Sequence, residues 1–509
     1  MIENKGLIKT LVYYIMIYYV SKLGKGERNV MDRSKQLGEE SIGNLLFKFS
    51  LPAIIGMLVN GLYNMVDRIF IGRGVGSLAL SGLAAGFPLS IINMAFGMLV
   101  GIGSSAMISI KLGEKDKDSA EKILGNALIL NIILSLVFTI FGLIFLDKLL
   151  IIFGASSETL GYARDYMKYI IGGAVLQNIG FGMNNIIRSE GSPRIAMATM
   201  LIGAIINTIL DPIFIFIFDM GVQGAAIATI ISQGISSIWV LLHFISGKST
   251  LKFHKENFKL RLETIKHILA IGMSPFAMQI AASVVTTIYN NSLLTYGGNL
   301  AVGAMGIINS VIMLFFMPIF GINQGVQPII GYNYGAKNYA RVKQALKLAI
   351  MAAVAISIVG FIVIQAFPRQ LIGLFNKNDA ELIAIGSRGI RIDMIFLPVI
   401  GFQVVSSNYF QAIGKAKISM LLSLSRQVLI LIPILLIIPP IFKLDGVWAS
   451  APIADILAAT LTGIFLYRDI KALNKDIKKE EKNKKQQLID EEVQDEGLEN
   501  KIEIKKQFE

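Results

Sequence analysis

Two acidic residues stand inside strongly apolar stretches of this 509-residue chain. Asp67 lies in LYNMVDRIFIG, and Asp211 lies in NTILDPIFIFIF. A carboxylate at bilayer depth costs roughly 2.5–3.5 kcal/mol on insertion scales, so such a group normally faces a cavity and marks the path of an ion or a substrate. The pair therefore predicts a membrane protein that moves something, and it argues against a passive anchor.

Polar side chains accompany the two aspartates. Asn207 precedes Asp211 by one helical turn, and Tyr63 precedes Asp67 by the same spacing, so each pair shares a helix face. The same half of the chain carries other polar residues at depth, namely Asn184, Asn185 and Thr229. Because two close carboxylates do not both ionise cheaply, this set suits a shared proton, or a sodium ion at Asp67, Asp211 and Asn207. The alternative is a buried polar network with a structural role.

The composition sets the class of protein. The chain is 54% hydrophobic and 16% charged, with a mean hydropathy of +0.62, whereas soluble domains carry about 25% charged residues. Continuous apolar runs approach the roughly 20 residues that a spanning helix needs, which favours helices over an outer-membrane barrel. The absence of cysteine excludes disulfides and cysteine metal centres. We attribute the net charge of +13 to the cytoplasmic loops of a membrane protein, and expect no nucleic-acid partner.

The elements that must position these residues are predicted to be twelve transmembrane helices in an all-α, polytopic fold. The apolar segments cover residues 47–71, 83–110, 122–146, 166–187, 194–218, 221–246, 267–291, 300–332, 343–367, 384–412, 416–442 and 446–467. The polar stretch SGKSTLKFHKENFKLRLETIK divides them into two sets of six. The loop charges place both termini and this stretch in the cytoplasm.

The predicted organisation has five parts. They are an N-terminal cytoplasmic segment (1–46), a first six-helix bundle (47–246), a cytoplasmic linker (247–266), a second six-helix bundle (267–467) and a charged cytoplasmic tail (468–509). Because residues 1–30 contain no plausible span, translation from Met31 is predicted to give a functional protein.

The two halves resemble each other. LALSGLAAGF at 78–87 is echoed by LAVGAMGIIN at 300–309. KLGEKDKDSAEKIL at 111–124 is followed about 222 residues later by NYGAKNYARVKQAL at 333–346. This steady offset predicts two pseudo-symmetric bundles from an internal duplication, which is typical of secondary transporters with a substrate site at the repeat interface.

Several motifs resemble those of the MATE (multidrug and toxin extrusion) family, particularly its bacterial MepA- and DinF-like branches. The motifs are LYNMVDRIFIG, DPIFIF, GVQGAAIAT, NQGVQPIIGYNYGAKNY and SRQVLILIPILLIIP. They occur in order, and the resemblance covers about residues 37–470. It implies two six-helix bundles that face each other across a central cavity, and export driven by sodium or proton influx.

The resemblance also implies a cation site within the first bundle. The matching positions are Asp67, Tyr166, Asn184, Asn207, Asp211 and Thr229; all but Tyr166 also follow from the residues alone. The second bundle has no equivalents of the two aspartates at the repeat offset, since Tyr289 stands where Asp67 would recur. Its buried charges are Asp393, Arg426 and Asp455, and we expect Arg426 to pair with one of the two acids.

The residues predicted to line a substrate cavity are amides, methionine and other amphipathic side chains. They are Tyr63, Met183, Gln279, Asn290, Gln324, Gln327 and Arg426. Flexible methionine suits promiscuous apolar binding, and a lone buried cation marks either an ion pair or a substrate contact.

The sequence thus predicts an antiporter, not an enzyme. It would export amphipathic, cationic organic compounds from a bacterium across the inner membrane, as a monomer and in exchange for H+ or Na+, with no cofactor. One alternative is a flippase for lipid-linked oligosaccharides, which would need an arginine- and lysine-rich cavity. Another is an intramembrane enzyme with the two aspartates as acid and base, which would need neither the repeat nor the prolines inside the apolar segments.

Overall fold

A computed structural model describes residues 34–247, 249–375 and 379–507. In chain order the α-helices are α1 (Lys35–Glu39), α2 (Ile42–Gly74), α3 (Ser77–Gly113), α4 (Lys117–Ile144), α5 (Leu146–Ile152), α6 (Leu160–Gly172), α7 (Ala174–Ser189), α8 (Pro193–Pro212), α9 (Gly221–Ile245), α10 (Leu262–Gly335), α11 (Tyr339–Ala366), α12 (Pro368–Gly373), α13 (Ala380–Asp393), α14 (Leu397–Ala412), α15 (Ala416–Leu424), α16 (Ile432–Ile437) and α17 (Pro439–Gln507). The described residues form no strand, which confirms the all-α prediction. The expected start at Met31 falls outside these residues.

The helices accommodate twelve crossings. Within the described residues, nine are long and apolar enough to cross a membrane, and the bent pair α13–α14 makes a tenth. The 74-residue α10 would be about 110 Å long if straight, but it breaks at Gly298, where φ is 67°, and so supplies two crossings. The pair α6–α7 takes the corresponding place of α13–α14 in the first half, and its charged first turns explain why it is less apolar.

Two helices begin earlier than the predicted bundle boundaries. α2 begins at Ile42, before the predicted bundle start at residue 47, and α10 begins at Leu262, inside the predicted linker. α17 is interrupted at Lys443 (φ 52°) and then continues as a helix to Gln507, so the predicted tail is helical throughout its described length. The differences arise because amphipathic turns extend apolar helices beyond the hydrophobic stretch that a sequence pattern detects.

The linker packs on the first bundle. Asn126 on α4 donates from its amide Nδ2 to the carbonyl oxygens of Asn257 and Lys259, at 3.1 Å each, and accepts from the Arg261 N–H at 2.8 Å. The fully buried Glu190 accepts from the Ser249 hydroxyl and from the Thr250 N–H. The linker is therefore held by hydrogen bonds to the first bundle.

Both described termini lie on the same side as this linker, which we call the linker side. The Gln36 amide donates to the Gly191 carbonyl, beside Glu190, and the Lys343 ammonium donates to Asn474 on α17.

The two bundles meet closely on the linker side. Four glycines there allow backbone-to-backbone contact, and we call them the glycine seam: Gly103, Gly113, Gly272 and Gly335. A Cβ atom at Gly272 would lie 1.7 Å from the Leu99 carbonyl oxygen, and one at Gly335 would lie 2.0 Å from that of Ile110. Small residues are the usual means of close helix approach in membranes. The seam closes the space between the bundles on the linker side.

Candidate cation site

Asp67 on α2 and Asp211 on α8 meet inside the first bundle. Their side chains are 7% and 0% exposed, and the two carboxyl groups lie within hydrogen-bonding reach of each other. α2 and α8 pack along one another, which brings together two acids separated by more than 140 residues of chain. The structure thus places the two predicted aspartates in one site.

The helix around Asp211 is irregular. Pro212 follows it directly and cannot donate a backbone hydrogen bond, and the chain continues as one π-helical turn over Ile213–Ile217. The second half also contains a π-helical turn, Ser425–Leu431, which carries Arg426. Such turns are frequent at functional sites because they re-aim a side chain without ending the helix.

Asn207 and Thr229 complete the surroundings of Asp211. The Asn207 amide Nδ2 donates to Asp211 Oδ1 at 3.0 Å and to Thr229 Oγ1 at 3.3 Å. The Thr229 hydroxyl in turn donates to the Ala225 carbonyl at 3.0 Å. While its amide nitrogen donates to both neighbours, Asn207 Oδ1 accepts no hydrogen bond.

Three buried oxygen atoms of this site accept no hydrogen bond. They are Asp67 Oδ1, Asp211 Oδ2 and Asn207 Oδ1. A buried acceptor without a donor is costly, so these oxygens fit a partner that supplies positive charge. Hard cations prefer sites made of oxygen ligands only, and a proton held between the two carboxyls would satisfy two of the three.

Tyr166 and Asn184 stand differently toward this site. The Tyr166 hydroxyl lies within hydrogen-bonding reach of Thr229 and beside Asp67 and Tyr63, so it belongs to the cluster. Asn184 is buried on α7, but no hydrogen bond of the described residues joins it to the other members. The described part of the chain contains no group of three or more His, Asp or Glu side chains placed to hold a metal ion.

A second polar network fills the same bundle and was not predicted from the sequence. Asn178 donates from Nδ2 to Asn93 Oδ1 and Ser135 Oγ, at 2.9 Å each, and Asn93 donates to Gln177 Oε1 at 2.6 Å. The amides at 177 and 178 inside an apolar segment were the available signal.

The buried charges of the second bundle form pairs. Arg426 binds Asp455 through its Nε, which confirms the predicted partnership and selects Asp455 over Asp393. Asp393 instead accepts from the Tyr289 hydroxyl at 3.1 Å. Tyr289, which occupies the position equivalent to Asp67, thus donates a hydrogen bond to an acid of the second bundle.

Arg426→Ala should destabilise the protein strongly. The change would leave Asp455, which is 2% exposed, as an unpaired buried charge, and breaking such a pair typically costs about 3–5 kcal/mol. We expect a lower thermal unfolding temperature in detergent, and partial recovery when Asp455→Asn is added. Arg388→Ala is the matched control, since it removes the exposed ion pair with Asp445. If Arg426→Ala and Arg388→Ala lowered the unfolding temperature equally, the buried pair would contribute no more to stability than the exposed pair.

The residues predicted to line a cavity differ in their burial. Gln324 on α10 contacts Met57 on α2 through Nε2 and Sδ at 3.5 Å, so it lies where the bundles face each other. Gln327 is buried with its amide nitrogen unpaired, whereas Asn290 is exposed and Gln279 and Tyr63 are partly buried.

Met183 is buried in the described state. It is 0% exposed and packs in a hydrophobic core cluster that contains residues of both bundles. Arg426 is likewise already occupied by Asp455.

A family comparison decides the assignment. The MatE family model matches residues 52–213 and again residues 275–437, one match in each bundle. The chain belongs to the MATE family. The double match agrees with the internal duplication that the sequence repeats predict.

Curated MATE relatives include multidrug exporters. The multidrug export protein MepA of Staphylococcus haemolyticus is 30% identical over 429 residues, which cover 84% of this chain and 94% of that protein. MepA of Staphylococcus aureus strain MSSA476 is 30% identical over 83% of this chain and 93% of that protein.

Solved MATE structures share the fold along almost their whole length. The MATE multidrug transporter DinF-BH in complex with R6G is 41% identical, with a TM-score of 0.80, and the match covers 85% of this chain and 97% of that one. A MATE structure in complex with MaL6 gives a TM-score of 0.82 at 28% identity, covering 88% of this chain and all of the other. This chain is therefore a multi-pass membrane transporter of the bacterial MepA type.

Proposed function

We propose that this MATE transporter is a secondary active antiporter that exports amphipathic, cationic organic compounds in exchange for H+ or Na+. The observation that carries the proposal is the buried pair Asp67–Asp211 with its unpaired oxygens. Two carboxyl groups in an apolar bundle need a positive partner, and in an antiporter the coupling ion is that partner. No catalytic role and no cofactor enter this scheme.

Alternating access supplies the mechanism. The glycine seam closes the linker side, and the loop charges favour a cytoplasmic location for that side, so in this scheme the described state is closed toward the cytoplasm. Cation binding at Asp67 and Asp211 would satisfy the orphaned oxygens and favour the arrangement of α2 and α8 that binds the drug weakly. A bound cation shifts such an equilibrium only by its different affinity for the two states.

Related proteins support the substrate class. MepA relatives are multidrug export proteins, and the DinF-BH transporter has been solved with R6G bound. By analogy we assign this chain drug-like organic cations as substrates. The inner membrane as its location and a monomeric state remain part of the proposal, and the loop charges support cytoplasmic termini.

The flippase alternative lacks its key feature. A pyrophosphate cavity needs free guanidinium or ammonium groups, but Arg426 is bound to Asp455, and Arg188 is only 4% exposed. Neither residue offers an accessible positive surface to a diphosphate.

Uptake of R6G into inverted membrane vesicles tests the proposal. Sodium and pH gradients are imposed separately, and membranes without the protein serve as the baseline. The drug moves into the lumen of an inverted vesicle, so the driving cation must flow out of it. At least one of the two outward cation gradients should therefore drive accumulation of the dye. If neither the sodium gradient nor the pH gradient drives accumulation of the dye, the antiport proposal is overturned.

A further inference from the structure

The N-terminal strap, residues 35–40, includes α1 and runs directly into α2 of the first bundle. The strap nevertheless also contacts the second bundle. Leu37 is 0% exposed and packs in the core cluster that also contains Val326, Ile330 and Tyr332 of α10. The strap therefore crosses from its own bundle onto the second one, on the linker side.

Two side chains of the second bundle hold the strap by its backbone. Arg341 donates from Nη2 to the Glu40 carbonyl at 2.6 Å and to the Leu37 carbonyl at 3.1 Å. Asn333 donates from Nδ2 to the same Leu37 carbonyl at 2.9 Å, and accepts from Arg341 Nε at 2.9 Å. The last carbonyls of a helix have no partner within it, so a cationic fork at the end of α1 meets both their hydrogen-bonding and their electrostatic needs.

The strap is also bound to the first bundle. Gln36 donates to the Gly191 carbonyl at 2.8 Å. Lys48 on α2 donates to Gln36 Oε1 at 2.5 Å and to Glu40 at 3.0 Å, and Asn44 on α2 donates to Glu40 at 3.2 Å. The linker between the bundles makes its hydrogen bonds with the first bundle, through Asn126 and Glu190. The strap is thus a polar tie between the bundles, separate from the apolar glycine seam.

We propose that the N-terminal strap is a cytoplasmic latch whose release from Arg341 and Asn333 accompanies opening of the transporter toward the cytoplasm. The proposal rests on the alternating access of the proposed function. Because the strap continues into α2, separation of the bundles pulls its carbonyls away from Arg341. The latch adds a specific, charge-assisted contribution to the closed state, which an opening transition must lose.

Thiol labelling of one engineered cysteine tests the latch. The chain has no cysteine of its own, so Ser109→Cys gives a single reporter. Ser109 is 0% exposed and faces Gly331 of the second bundle, where the bundles must part. In inverted vesicles, a membrane-impermeant maleimide reaches this position only when the linker side opens. The assay needs neither drug nor gradient, so its result is independent of whether antiport occurs.

Arg341→Ala in this background should raise the labelling rate about tenfold, the population change expected when hydrogen bonds to a charged donor are lost. Asn333→Ala should raise it by a smaller factor. Arg194→Ala is the matched control, because Arg194 is exposed on the same side and makes no hydrogen bond or ion pair with the described residues.

Labelling of a second reporter separates opening from unfolding. Ser135→Cys lies inside the first bundle, 1% exposed, and should stay unlabelled in the Arg341→Ala protein. If Ser135→Cys does react, the Arg341→Ala protein is unfolding, and Arg341→Lys replaces it as the test variant. Lysine keeps the charge but cannot donate through a guanidinium fork, and labelling at Ser109→Cys and Ser135→Cys is compared again. A labelling rate at Ser109→Cys equal to that of the parent in folded Arg341 variants would overturn the latch.

Discussion

Asp67→Asn and Asp211→Asn are each expected to abolish gradient-driven export while leaving drug binding measurable. Asparagine keeps the shape of the side chain but removes the charge that attracts a cation to the buried pair. Coupling free energies between sites are typically about 1–3 kcal/mol, so export should fall by at least about fivefold. The measurement is R6G efflux from proteoliposomes under an imposed sodium or proton gradient, with equilibrium binding measured in parallel.

Asp219→Asn is the matched control for these two changes. Asp219 is exposed in the turn between the π-helical segment and α9, and its φ of 52° is one that asparagine tolerates well. Its export rate should match that of the parent protein. Parental efflux in both neutralised variants would mean that the acids are structural and that coupling resides elsewhere, with the Asp393 region of the second bundle the next place to look.

Gly272→Ala should have an effect of comparable size through the glycine seam. Its Cβ would lie 1.7 Å from the Leu99 carbonyl oxygen, which is backbone and cannot rotate away. Overpacking of this kind typically costs about 1–3 kcal/mol, and the cost falls only on the state in which the linker side is closed. Export should therefore drop severalfold or more, while the folded protein and its drug binding persist.

Gly306→Ala provides the comparison on the same helix. A Cβ at Gly306 meets no atom within 4 Å, so this variant should export normally. If Gly272→Ala also exports at the parental rate, the linker side does not close as tightly during transport as the seam implies.

Apolar patterning predicted the helices and the duplication well, because every spanning segment must satisfy its own backbone. Asp67, Asp211 and Asn207 were predictable for a related reason, since few purposes justify a carboxylate in such surroundings. The Arg426–Asp455 pair followed from the same cost of a lone buried charge.

The rotation of each helix was harder to predict. Surfaces that face lipid, the protein core or a cavity are all lined by apolar side chains, so hydrophobicity does not separate them, and Met183 is buried in a core cluster of both bundles. Tyr166 gave no signal of its own, since tyrosine is common at membrane interfaces, and only the family resemblance pointed to it. The strap contacts of Arg341 escaped prediction because they join side chains to backbone carbonyls, which no sequence motif marks.

Cation release on drug binding tests the central claim most directly. If Asp67 and Asp211 hold the coupling ion, drug and cation must weaken each other's binding by the same factor. R6G added to the purified protein at constant pH and sodium should then release protons or sodium ions in proportion to the drug bound, and Asp211→Asn should release none. Equal release from the parent and Asp211→Asn, or no release from the parent while it binds R6G, would contradict the assignment of coupling to this pair.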